Sequence, residues 1–293
     1  MLFQSKLTRN IALAMLLFAP AFTTQAQKYK LPFNQQVWSR DYQPFRIAGN
    51  LYYVGTADLA CYLVTTPKGH VLINTGLEES VPLIKKHITS LGFKFSDIKI
   101  LLATHAHYDH VAGMAEIKKE TGAKMMIHAR DTKALADGGA SDYVLGEYGA
   151  TFEPVKADRI LKDQEVVRLE DAELTVLHHP GHTPGANSFL LTVKDNKRSY
   201  KVLIANFPGI LDETKLSGMP GYPDVAKDYG NTIDAMKKLD FDLWVASHAG
   251  QFGLEKKRKE GDSYNPDAFS DRKGYDDLMA WLEKRYHEKL KEK

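Results

Sequence analysis

The sequence predicts an α/β fold of the α+β kind, with two mixed β-sheets packed face to face and helices outside. Three observations lead there. β-rich and helical segments alternate along the chain, which is the pattern of an α/β protein. Each half carries several consecutive strands, which favours two mixed sheets over one parallel sheet. One run, Ile98–Ala103, is short and apolar but for Lys99, as expected of a central strand buried on both faces.

In the first half, Leu51–Val54, Cys61–Thr65 and Val71–Asn74 read as short strands. Val81, Ile84, Ile88 and Leu91 fall at helical spacing and predict a helix over Glu78–Leu91. After the central strand, His110–Lys119 reads as a helix and Lys124–Ile127 as a strand. Arg130–Ala136 is a short helix ended by Gly138-Gly139. The second half repeats the theme. Glu165–Leu169, Leu174–Leu177, Ser188–Val193 and Tyr200–Ala205 are strands, Val225–Leu239 a helix and Leu243–Ala246 a last strand. Tyr275, Leu278, Trp281, Leu282 and Tyr286 stripe a C-terminal helix whose other face is charged and solvated. Two long loops, Gly138–Gly149 and Gly209–Pro223, interrupt the pattern.

The chain has 293 residues, 43% of them hydrophobic and 26% charged, enough for a sizeable core and wrong for a disordered chain. Its formal charge is +2, and Lys6 and Arg9 account for that excess. The remainder is neutral, which leaves no basic field for nucleic acid. A single cysteine, Cys61, excludes an intrachain disulfide framework, and its apolar neighbours predict a buried thiol. Residues 1–26 read as a secretory signal: a charged start, an apolar run over Ile11–Phe18 and small residues before a cut after Ala26. The remainder, 27–293, reads as one exported domain, periplasmic, monomeric and not membrane-bound after cleavage.

The histidines carry the chemistry. His105-Ala106-His107-Tyr108-Asp109-His110 directly follows the buried strand and packs three imidazoles and a carboxylate into six residues. Leaving these buried and unpaired would be costly. Imidazole nitrogen and carboxylate oxygen suit zinc. His105 and His107 can point the same way, while Asp109 and His110 point to a neighbouring site, so two adjacent metals are the natural reading. His179-Pro180-Gly181-His182-Thr183-Pro184-Gly185 and Ser247-His248-Ala249-Gly250 each place a histidine in a small-residue turn just past a strand. The turn favours His182 over His178 or His179. Isolated histidines such as His70, His87, His128 and His287 read as surface or satisfied core.

This pattern resembles the metallo-β-lactamase superfamily over nearly all of the chain after residue 26. Within it, the stretches Phe45–Thr56, Leu72–Gly76, Val202–Asn206 and Trp244–Ala249 resemble subclass B3 β-lactamases of the GOB group. The resemblance implies an αββα sandwich with the site at one edge between the sheets. It implies that His105, His107 and His182 hold one Zn2+ and Asp109, His110 and His248 a second. Asp109, His182 and His248 would thereby take part in catalysis, with metal-bound hydroxide as nucleophile and hydrolysis of the amide bond of β-lactam antibiotics as the reaction.

Two departures matter. The GOB group typically carries Gln where this chain has His105, so a three-histidine site and two metals are expected. Many superfamily hydrolases supply a bridging Asp near Asn206-Phe207, and this chain has none there. That counts against lactone and thioester hydrolases, which stay as the alternative, with a non-catalytic zinc protein a remoter one. Thr183, Ser141 and Asn187 are the candidate substrate contacts, and the Gly138–Gly149 loop a candidate lid.

Overall fold

The computed structural model describes residues 35–292, so the expected signal segment lies outside the described residues. The first sheet is built from β1 (Phe45–Ala48), β2 (Leu51–Tyr53), β3 (Tyr62–Thr66), β4 (Gly69–Ile73), β5 (Ile98–Leu102), β6 (Lys124–His128) and β7 (Arg159–Leu161), in that spatial order. β1 to β4 pair antiparallel, while β4 to β7 pair parallel. The second sheet takes β8 (Val166–Leu169), β9 (Ala172–His178), β10 (Asn187–Lys194), β11 (Ser199–Ala205) and β12 (Leu243–Ala246). Only its β11–β12 pair is parallel. Both sheets are therefore mixed, as expected.

The helices are α1 (Gln35–Ser39), α2 (Val81–Ser90), α3 (Tyr108–Val111), α4 (Met114–Thr121), α5 (Thr132–Ala136), α6 (Val225–Met236), α7 (Leu254–Lys257) and α8 (Arg272–Lys289). Alternation of side chains along each strand sorts them into layers. Val71 and Ile73 of β4 and Ile100 and Leu102 of β5 face the second sheet, packing with Val176, Phe189, Leu191 and Val202. Leu72, Leu101, Met125 and Ile127 face outward and meet Val81, Ile84 and Ile88 of α2 and Ile117 of α4. On the far side, Leu203 and Trp244 meet Ile233 of α6 and Tyr275, Met279 and Leu282 of α8. The result is helix, sheet, sheet, helix. Apart from the exposed Lys99 near its start, β5 is apolar because both of its faces are covered.

Several boundaries differ from the sequence pattern. β1 and β7 were not expected as strands; both are edge strands, and two of the three β7 residues are exposed, so neither carries a strong alternating signal. The helix expected over His110–Lys119 starts at Tyr108 and breaks at Ala112-Gly113 into α3 and α4. A Cβ on Gly113 would lie 2.6 Å from Val81, so the break lets α2 approach closely. Cys61 is a buried free thiol, as its neighbours required.

Leu102 is fully buried between the sheets and leads directly into the His105–His110 segment. Leu102→Ala should destabilise the fold by about 2–5 kcal/mol through lost burial and a residual cavity. Urea denaturation followed by circular dichroism measures this; a cost under ~1 kcal/mol would contradict the inter-sheet placement.

Candidate metal centre

The site lies past the ends of β5, β9, β11 and β12, where chain segments leave the two sheets side by side. Asn74 and Thr104 tie the first segments together. Asn74 takes a left-handed backbone (φ 60°), which asparagine tolerates better than most residues. Its Oδ1 accepts from the Thr104 amide at 2.9 Å. The Asn187 amide donates to the Thr104 carbonyl at 2.8 Å, which brings the start of β10 alongside. Ser247 Oγ donates to Thr104 Oγ1 at 3.1 Å and brings the end of β12.

Asp131 fastens the second pair of segments. This buried carboxylate accepts from the Ala106 amide (3.0 Å), the Thr183 hydroxyl (2.7 Å) and the Gly185 amide (2.6 Å). A Cβ on Gly185 would sit 2.6 Å from the Asp131 carboxyl carbon, so only glycine permits the approach. Burial raises the Asp131 pKa, and the three hydrogen bonds work against that rise. One carboxylate thus locks the loop bearing His105 and His107 to the turn bearing His182.

These supports gather the six expected side chains into two adjoining triads. The ligand atoms of His105, His107 and His182 lie within 4.8 Å of one another. Their ring centroids are 4.6 to 4.7 Å apart. In the second triad, Asp109 Oδ2 is 3.1 Å from His110 Nε2 and 3.4 Å from His248 Nε2. His110 Nε2 and His248 Nε2 are 3.2 Å apart. The triads touch where the His105 and His110 rings approach to 4.2 Å.

A metal fits this donor set. His105 Nε2 is buried with no hydrogen-bond partner, an orphan that a cation would satisfy. Thr104 Oγ1 lies 3.3 Å from the opposite nitrogen of that ring, and the Gly209 carbonyl accepts from His182 Nδ1 at 2.7 Å. Burial drives the His105 imidazole well below its usual pKa and His182 down to about 3, so both are neutral bases ready to ligate. Burial also acts to lower His248, but Asp109 and Asp58 outweigh it and hold that ring at about 9. Asp109 is buried too, which would raise its pKa; His110 and His248 reverse this and keep it ionised.

Two carboxylates that the sequence reading did not single out stand behind the ligands. Asp142 Oδ2 lies 3.1 Å from His107 Nε2, while its other oxygen accepts from the Val144 and Leu145 amides. Asp58 Oδ2 lies 3.0 Å from His248 Nδ1 and also accepts from the Trp38 indole at 3.1 Å. Such partners fix which ring nitrogen is free for a metal. Asp58 and His248 are 190 positions apart, and no local pattern connects them.

A cavity of about 320 Å³ opens over the triads, lined by Trp38, Asp58, Tyr108, Leu145 and Leu211 along with His107, Asp109, His182 and His248. Two of the expected substrate contacts need correction. Thr183 is buried with its hydroxyl committed to Asp131. Asn187 is buried with its amide on the Ala103 carbonyl at 3.4 Å. Ser141 is half-buried and lies outside the residues lining this cavity. The Gly138–Gly149 loop, expected as a lid, contributes Leu145 to the wall and Asp142 behind His107. His179 stands apart from the triads, its Nδ1 2.8 Å from Ser188 Oγ. At Asn206-Phe207, Phe207 packs against Trp244 and Asn206 Oδ1 accepts from Ser247, so no carboxylate stands there.

Comparison with known proteins agrees with this architecture. The family model for the metallo-β-lactamase superfamily matches residues 58–195. A β-lactamase from Chitinophaga pinensis is 60% identical, covering 90% of this chain and 99% of that one, with a TM-score of 0.88. The chain belongs to the metallo-β-lactamase superfamily. Within this superfamily, GOB-18 from Elizabethkingia meningoseptica is 54% identical over 91% of this chain and 99% of that one (TM-score 0.87). The class B3 di-zinc metallo-β-lactamase LRA-12 from an Alaskan soil metagenome is 55% identical over 88% and 98% (TM-score 0.86). Curated relatives are more distant superfamily members. An acyl-coenzyme A thioesterase from Gallus gallus is 25% identical over 56% of this chain and 61% of its own length. A hydroxyacylglutathione hydrolase from Rhodopseudomonas palustris is 33% identical over 42% and 39%. The chain spans less than two thirds of the length of these two curated relatives.

His179 gives a pH test of the scaffold beside the site. Burial holds its folded pKa at about 4, below the roughly 6.5 of an exposed imidazole. Between those values the unfolded chain binds more protons, so stability falls as pH drops from about 6.5 to about 4. The full effect is about 3 kcal/mol. His179→Asn, which keeps a polar partner for Ser188, should flatten that part of the acid limb in urea titrations. An unchanged limb would show that His179 is not held neutral.

Proposed function

We propose that this protein is a zinc β-lactamase that hydrolyses the amide bond of β-lactam antibiotics and so confers resistance to them. The observation that carries this reading is the pair of adjoining triads under an apolar-walled cavity, with no carboxylate at Asn206-Phe207. Solved structures 54–60% identical to the chain include proteins described as β-lactamases, which supports the same reading. His105, His107 and His182 would hold one zinc, and Asp109, His110 and His248 the other. Zinc, when bound, lowers the pKa of water toward about 7 and polarises a carbonyl.

The chain's own groups do the rest. Asp109, kept ionised by its histidine neighbours, is placed to accept a hydrogen bond from the attacking water and orient it. Asp142 and Asp58 hold His107 and His248 in fixed ring orientations. Trp38, Tyr108, Leu145 and Leu211 wall the cavity, keep bulk water out and offer apolar contact to the body of a bicyclic lactam. Export to the periplasm after cleavage behind Ala26, and action as a monomer, belong to the same proposal. Among the described residues no helix is long and apolar enough to cross a membrane.

Hydrolysis of the thioester bond is the second reading, favoured by the functions named for the distant curated relatives. Purified protein should hydrolyse a carbapenem rapidly, lose that activity to a zinc chelator and regain it with added zinc. A fully zinc-loaded sample that leaves the carbapenem intact but cleaves a hydroxyacyl-glutathione thioester would replace the first reading by the second. His105→Ala should lose zinc from one of the two sites and lower turnover by more than about tenfold. Metal analysis with parallel kinetics checks this, and full zinc content with full turnover would sink the ligand assignment.

A further inference from the structure

A second cavity, of about 210 Å³, lies between β1 and the segment after α7 and shares no lining residue with the one over the triads. Phe45 and Phe269 line it, stacked with centroids 5.9 Å apart and planes 13° from parallel. Two guanidinium groups stand on aromatic faces there. Arg258 Cζ lies 4.2 Å from the centre of Phe45, and Arg46 Cζ lies 4.9 Å from the centre of Tyr264. Stacking of this kind holds a guanidinium flat and oriented while leaving its N–H edge free.

The charge around these two groups sets them apart. Every other arginine among the described residues is ion-paired with Asp or Glu, as Arg130 is with Asp228 and Arg285 with Asp212, each at 2.8 Å. Arg46 and Arg258 form no such pair among the described residues, and both line this cavity. Arg46 donates from Nε to the Gly49 carbonyl, which does not neutralise it. Arg258 Nη1 is buried with no hydrogen-bond partner. A buried guanidinium nitrogen with an unmet proton calls for an acceptor. Lys257 also lines the cavity; its Nζ is likewise buried without a hydrogen-bond partner, although Asp271 stands 3.3 Å away and balances its charge. Asp262, the one carboxylate among the lining residues, accepts from the Lys259 amide at 2.8 Å.

We infer that this cavity binds a small organic oxyanion, a carboxylate or phosphate group on a flat apolar body. The charged end would meet Arg46 and Arg258, whose forked donors match a planar oxyanion. The apolar body would lie against Tyr264, which is 40% exposed, since Phe45 and Phe269 are nearly fully buried. Asp262 at the wall disfavours densely charged polyanions.

The test uses the purified protein labelled with nitrogen-15, titrated separately with benzoate and inorganic phosphate at constant ionic strength set by chloride. The expected result is saturable shifts of the Phe45, Gly261 and Tyr264 amides with at least one of the two. Arg46→Met and Arg258→Met should each weaken that binding at least tenfold. Arg168→Met, which removes an exposed paired arginine on β8, should leave it unchanged. If Arg258→Met fails to fold, the exposed Arg46 variant decides the matter. No saturable shift with either anion, shifts confined to Gly181 and Gly209 beside the triads, or equal binding by Arg46→Met and the unsubstituted protein would each overturn the proposal.

Discussion

Five imidazoles and a carboxylate are brought together at one edge of a largely apolar double sheet, and dehydrating them is the cost that shapes everything around them. Polar groups taken out of water without partners are expensive. Almost every support found here answers that cost. Thr104, Gly209, Asp58 and Asp142 each meet a ring nitrogen of a ligand histidine, and Asp109 meets two. The orphaned nitrogen of His105 is the exception, and it lies where a cation would be held.

The same constraint explains why the fold must be a sandwich with both outer faces covered. Ligands arrive on segments that leave β5, β9 and β12, strands drawn from two different sheets. Only face-to-face packing of those sheets puts the three strand ends side by side. Leu102, Val176 and Phe189 set the sheet separation, and Asp131 then sets the offset of the loops. Asp131 touches neither triad, yet through Ala106, Thr183 and Gly185 it determines how the first triad closes.

Polar side chains near the site sort themselves by the same logic. Thr183 and Asn187 lie next to ligand-bearing turns and have the right chemistry for substrate contact, but the Thr183 hydroxyl is committed to Asp131 and Asn187 is fully buried away from the cavity. The cavity walls are instead made by Trp38, Tyr108, Leu145 and Leu211, from parts of the chain far apart in sequence. Arg46 and Arg258 show the converse: two cations oriented by aromatic rings and left without anions.

Much of this was legible in the sequence. The largely apolar run of β5 announced a strand covered on both faces, and the spacing of His105, His107, Asp109 and His110 after it announced a cluster of side chains able to hold metal. Those signals are local, since strand burial and loop ligand spacing are written in consecutive residues. The edge strands β1 and β7 were missed because their few residues carry little alternation, and the break at Gly113 because a helical stripe does not record a neighbouring helix's approach. Asp58, Asp131 and Asp142 were invisible for a stronger reason. A carboxylate's role is set by the groups that face it, and the site segments these three face lie 25 to 192 positions away along the chain. The sequence by itself determined which residue types could bind metal and on which strand ends they ride. Tertiary packing alone decided which nitrogen each ring presents, which polar side chains face the cavity and which two arginines go unpaired, because each depends on distances between segments that the chain order does not contain.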